Sequence, residues 1–167
     1  MAKTDSFFIR ASTDFNGTTF AQSSIDLGAY VDALGKSVLR IHNIAVQWGD
    51  PTTPINAASS TSHVVAYQLT TQSQSAMVTV ENKSVIASGK LQCDGDPAGM
   101  AYFVQDTVDL SPQTWTGGYL VGVEQIYLGV DSTSAPSLNL ESCNIVLECT
   151  VETLSQSAAM ALALSQQ

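Results

Sequence analysis

The sequence predicts an all-β chain, an antiparallel β-sandwich of the jelly-roll kind with two pseudo-repeated halves. Three observations predict it. Short apolar-alternating runs separated by turn-rich pieces fill most of the 167 residues. No strong helical pattern interrupts them. Two segments, offset by 82 or 83 residues, repeat one strand–bend–loop–strand pattern.

Nine strands are expected, over residues 6–11, 18–25, 38–48, 63–70, 76–81, 85–92, 100–104, 119–130 and 140–154. Between them fall Asn16-Gly17, Gly49-Asp50-Pro51, Asp94-Gly95-Asp96-Pro97, Thr116-Gly117-Gly118 and the Ser-rich 131–137, all turn chemistry. The strand over 38–48 turns Leu39 and Ile41 one way, then carries Ile44, Val46 and Trp48 on the other parity. The strand over 119–130 does the same with Val121 and Val123, then Ile126, Leu128 and Val130. Side chains alternate strictly along a strand, so each shift, at His42-Asn43 and at Glu124-Gln125, means a bulge or a passage from one sheet to the other. Ile25-Asp26-Leu27 leads into the first of these strands and Val108-Asp109-Leu110 into the second. Downstream, Val65, Tyr67 and Leu69 align with Leu147, Cys149 and Val151. Residues 25–72 and 108–154 therefore read as two copies of one unit within a single domain, 1–167. Two copies of this length are no solenoid, and eight strands in two Greek keys fit the length. An immunoglobulin-like sandwich fits less well, since no cysteine pair brackets a core tryptophan. The tail 157–167 opens with an Ala-rich stretch that is marginal as an isolated helix and is expected to fold only against a neighbour.

Composition narrows the function. Charged residues make up 13%, about half the usual share, and 20 Ser, 16 Thr, 12 Gln and 6 Asn take their place. Such a surface costs little to dehydrate and suits an outside that becomes interface. The net charge of −9 is lopsided: residues 91–167 hold nine acids and no Lys or Arg. Without a cationic stripe, direct nucleic-acid binding and charge-driven membrane adhesion are not expected. The asymmetry suits ordered contacts between copies as well as simple solubility. No apolar run is long enough to span a membrane, and the first residues lack a signal-peptide core, so the chain is expected to be made in the cytoplasm. Three cysteines are present without Cys-x-x-Cys spacing. Cys143 and Cys149, roughly 20 Å apart along one strand, are expected as buried free thiols.

Enzyme signatures are absent from the sequence, and no catalytic residue, cofactor or metal is assigned. His42 and His63 lack partners at ligand spacing. Asp94-Gly95-Asp96 hints at a calcium loop, but its twelfth position is Gln105 rather than Glu. Glu148 and Glu152 share a strand face roughly 13 Å apart, too far for a glycosidase pair, and read as an acidic stripe. No Gly-x-Ser-x-Gly elbow or phosphate loop occurs. Trp48, Trp115 and the tyrosines fit a core or an interface better than a sugar platform.

Taken together, the Asp-containing leads, the two bent strands and the long terminal strand resemble the single-jelly-roll capsid proteins of icosahedral viruses, nearest those of membrane-containing double-stranded DNA viruses. The resemblance implies a structural virion protein, made in the host cytoplasm, that assembles with itself and with other capsid proteins into capsomers or a shell. It also leaves room for peripheral contact with an internal virion membrane, which would remove the need for a genome-binding basic arm. Trp115, Tyr119, Ala158, Met160, Leu162 and Leu164 are the expected interface residues. A carbohydrate-binding or adhesin-like sandwich is the alternative, and a cupin-like enzyme would need clustered His and carboxylate ligands.

Overall fold

The computed structural model describes residues 4–16, 18–32, 36–49, 62–95, 101–104, 114–133 and 141–167. Nine strands and one helix follow in order: β1 (Phe7–Phe15), β2 (Ala21–Asp26), β3 (Ser37–Gly49), β4 (His63–Thr70), β5 (Val85–Gly95), β6 (Ala101–Val104), β7 (Thr114–Val121), β8 (Gln125–Ser132), β9 (Glu141–Thr153) and α1 (Gln156–Ser165). Val108-Asp109-Leu110, Gln105 and most of the 131–137 turn lie outside the described residues.

Two antiparallel sheets form the sandwich. The first runs β1-β9-β3-β7 and the second β2-β8-β4-β5-β6. With β6 set aside, the eight remaining strands pair first with last, second with seventh, third with sixth and fourth with fifth: β1–β9, β2–β8, β3–β7 and β4–β5. That nesting of pairs is the jelly roll. The core lies between the sheets and follows the period-2 rule. Along β9, Cys143, Ile145, Leu147 and Cys149 are buried, while Asn144, Val146 and Glu148 between them are half-buried on the outer face. Val65, Tyr67 and Leu69 answer from β4. Each large apolar side chain so buried contributes about 1.5–3 kcal/mol.

The two parity shifts resolve in different ways. In 38–48 the strand stays in the first sheet and His42 is the bulged residue, with the register slipping between Ile41 and Asn43 against both neighbours. In 119–130 the chain breaks at Gly122–Glu124 and passes from β7 in the first sheet to β8 in the second. The expected single strand is thus two.

The expected strand over 76–81 does not form. Gln68, fully buried on the outer face of β4, donates from Nε2 to the Ala76 carbonyl (3.1 Å) and accepts from the Val78 amide at Oε1 (2.8 Å). One side-chain amide satisfies the backbone that a ladder would have paired, so residues 71–84 cross the second sheet as a strap. Gln22 ties the strap to β2 through Ser73 Oγ (2.9 Å) and the Gln74 amide (2.9 Å).

Candidate assembly surface

Helix α1 is built from Ala, Leu, Met, Gln and Ser, with no charge. The Ala, Leu, Met and Gln that dominate it are good helix formers. Ser155 caps it, its hydroxyl accepting from the Ala158 amide (3.3 Å). The helix does not wait for a neighbouring molecule, because it docks on its own sandwich. Ala159 and Ala163, one turn apart, are buried. Leu162 lies against Gly122, where an added Cβ would meet Leu162 Cγ and the Ala163 amide at 3.1 Å, so the backbone of the β7–β8 break sets the approach.

Gln166 locks the docking. Its side chain accepts from the Gly122 amide (2.8 Å) and donates to the Leu120 carbonyl (2.7 Å), bonding the free flank of end strand β7 as a neighbouring strand would. Its backbone carbonyl accepts from Thr71 Oγ1 (2.8 Å) and Gln72 Nε2 (3.3 Å), and Lys83 Nζ reaches the Gln167 carbonyl. Tyr119 packs on Trp115 with ring centroids 5.5 Å apart and hydrogen-bonds Gln166. Burial raises its phenol pKa, and the Gln166 bond acts in the opposite sense.

The six expected interface residues therefore divide. Trp115, Tyr119 and Leu162 are half-buried and serve the chain's own packing. Ala158, Met160 and Leu164 face out, with Met160 44% and Leu164 68% exposed at i, i+4 spacing. The result is a short apolar stripe on a charge-free helix.

Across the molecule, β1 and β2 are the end strands of their sheets. They converge where Thr13 Oγ1 meets Ser23 Oγ and donates to the Leu128 carbonyl (3.0 Å). They also flank an open groove of about 490 Å³ whose lining includes Phe8, Arg10, Ser12, Ser24, Asp26 and Tyr30. Tyr30 stacks on Phe7 at 4.8 Å, and Phe8 is 55% exposed with the Arg10 guanidinium carbon 6.0 Å from its ring centre.

The remaining singled-out residues take structural places. His42 Nε2 lies 2.9 Å from Thr150 Oγ1, and His63 is buried at the start of β4. Cys143 and Cys149 are buried free thiols; burial pushes both up, Cys149 to about 12 with help from the Glu148 charge. Among the described residues no group of three His, Cys, Asp or Glu is placed to hold a metal. No helix there is long and apolar enough to cross a membrane.

The acidic stripe expected at Glu148 and Glu152 is not one. Glu152 is buried and takes a bidentate bond from Arg40, Nε to Oε1 and Nη2 to Oε2, both 2.7 Å. The one sequence signal was a cation, Arg40, set between the apolar Leu39 and Ile41.

No protein-family profile matches the chain, and no curated protein matches it in sequence. Among solved structures it is similar to VP1 of the Trichodysplasia spinulosa-associated polyomavirus, at TM-score 0.35 and 8% identity over 88% of this chain and 96% of that one. It is also similar to an unassembled VP1 pentamer of KI polyomavirus, at 0.37 and 7% over 89% and 95%. A third likeness is to Desmodium yellow mottle tymovirus, at 0.28 and 14% over 91% and 93%. At such TM-scores these are likenesses of outline, and the chain's own geometry has to carry the functional argument.

Proposed function

We propose that this chain is a structural virion protein, a capsid subunit whose sandwich, 1–167, acts as one unit and assembles with copies of itself. Jelly rolls serve capsids, lectins and cupins alike. The observation that favours assembly is the outward stripe of Met160 and Leu164 on a helix with no charge, held in place by Gln166. A helix exposed to water for good would carry Lys or Glu on that face, whereas an interface core is depleted in them. The sparsely charged Ser-, Thr- and Gln-rich surface supports the same reading, because its dehydration on contact costs little. Other capsid proteins and the surface of an internal virion membrane are further partners compatible with it. The ten-residue helix is half the roughly 20 residues a span requires.

Negative-stain microscopy and light scattering of the purified protein are expected to show capsomers or larger particles. Met160→Ser with Leu164→Ser should reduce assembly at least tenfold in critical concentration and leave the circular dichroism of the subunit unchanged. A monodisperse monomer at high concentration, across salt and calcium conditions, would refute the reading.

A further inference from the structure

Resting on that reading, the outer face of the second sheet supplies a seat for the helical stripe. We propose that the Met160–Leu164 stripe of one copy docks across β4 of the next, straddling Met77 there, with the helix N-terminus toward Asp131 and its C-terminus toward Lys90.

Among the described residues the exposed large apolar side chains are Phe8, Tyr30, Val80, Met160 and Leu164. Phe8 lies against Arg10, and Tyr30 stacks on Phe7. That leaves Val80, 72% exposed on the strap, and the two helical residues. A contact that brings Val80 of one copy to the stripe of another covers all three.

The strap shapes the seat. Met77 and Ala66 border two open hollows. One, of about 330 Å³, also holds Val64, Asp131 and Thr133; the other, of about 400 Å³, holds Val80, Ser88 and Lys90. Ala66 pairs with Asp131 on β8 and with Lys90 on β5, so the hollows fall on opposite sides of it. Met160 and Leu164 are one turn apart, roughly 6 Å along the axis, and fit one to each hollow.

Charge sets the direction. Paired residues share a face, so Asp131 and Lys90 stand out from one surface on strands roughly 10 Å apart. The ten-residue helix is roughly 15 Å long and covers that span. It has no acid in its first turn and no base in its last, so no charge of its own answers either pole of its dipole. Asp131 at the N-terminus and Lys90 at the C-terminus answer both, whereas the reverse sense sets like against like. Stripe and seat are different patches of the chain, so the contact is heterologous and runs from copy to copy until a ring closes. Two helices packed about a two-fold axis would cover the stripe and leave Val80 in water.

Two measurements test it together. Leu164→Cys and Val80→Cys are prepared as separate proteins, mixed when dilute and then concentrated. Mild oxidation should link one to the other about tenfold faster than it links either to itself, because the seat brings these two positions within disulfide reach. Leu164→Lys should weaken assembly about tenfold through repulsion from Lys90, and Leu164→Lys/Lys90→Glu should recover most of the loss. A base in the last turn favours the helix itself, so lost assembly is not lost fold. Both results are required. Leu164→Cys linking to itself as fast would identify the two-fold helix pair instead and overturn the proposal, as would a double variant no better than Leu164→Lys. If particles form without these results, the seat is wrong and the capsid reading stands. If both appear in a protein that stops at a closed dimer, the seat stands and the capsid reading fails.

Discussion

Arg40 holds three strands at once. From β3 it grips Glu152 on β9 with two charge-assisted bonds of 2.7 Å, and its Nη1 donates to the Gly117 carbonyl on β7. The two side chains are 20% and 8% exposed, so the pair sits largely out of water. Removing one member leaves the other charge without compensation. Glu152→Ala is therefore expected to cost about 3 kcal/mol, the low end of the range for a buried pair, as a shift in the urea unfolding midpoint. Gly118 makes room for the aliphatic stem of the same side chain. Its φ is +72°, and an added Cβ would stand 2.7 Å from Arg40 Cγ. Gly118→Ala should destabilise by about 1–2 kcal/mol, and a neutral outcome would show that the backbone at this position relaxes out of positive φ as well as Arg40 moving aside. In sequence only the cation between Leu39 and Ile41 hinted at this, and its partner was not legible. Arg40 and Glu152 are 112 residues apart, and Glu152 sits at the same strand parity as the partly exposed Glu148.

At the scale of elements, sequence reasoning succeeded where a local period decides the structure and failed where a remote side chain does. The parity shifts at His42-Asn43 and Glu124-Gln125 mark real events because core contact enforces side-chain alternation. Which event each marks, bulge or crossing, depends on the opposing strands. Residues 76–81 alternate much as a strand does, yet Gln68, eight and ten residues back, supplies the hydrogen bonds that a neighbouring strand would have supplied. This yields a local test. Gln68→Ala should speed amide exchange at Val78, whose donor loses its acceptor, and open 76–80 to proteolysis. The global cost should be about 1–3 kcal/mol from the unsatisfied backbone. Unchanged exchange at Val78 would mean that the strap is held at its first residues, 71–74, through Gln22 and Gln166, and not by Gln68.

For the molecule as a whole, stability should fall in alkali. Burial raises the pKa of Cys143, Cys149 and Tyr67 above their ordinary values. Above pH about 8.5 the unfolded thiols ionise while the folded ones keep their protons, so the native state binds more protons and stability declines as pH rises. For Cys149 the loss continues until pH approaches its folded value of about 12. Each thiol contributes about 1.4 kcal/mol per pH unit within that window. Urea midpoints at pH 8 and pH 10 should differ in that direction, with Cys143→Ala/Cys149→Ala flattening the trend; equal midpoints would mean the thiols ionise in the native state. The sandwich and its buried thiols were legible because both follow from strand alternation. The candidate assembly surface was legible only in part. The tail read as an interface element, but which of its residues turn inward depends on Gly122, a close approach that no local pattern announces.

The Gln166 amide also limits how the molecule can grow. Where it bonds Leu120 and Gly122, the β7 end of the first sheet already has a mate. At the opposite end β2 leans over β1, where Ser23 bonds the Ser12 carbonyl (3.0 Å). Among the described residues both ends of that sheet are thus partly covered, which disfavours growth strand by strand into a filament. Joining copies into a closed surface calls for a contact of different geometry, and the Met160–Leu164 stripe is the candidate place on this chain from which to form it.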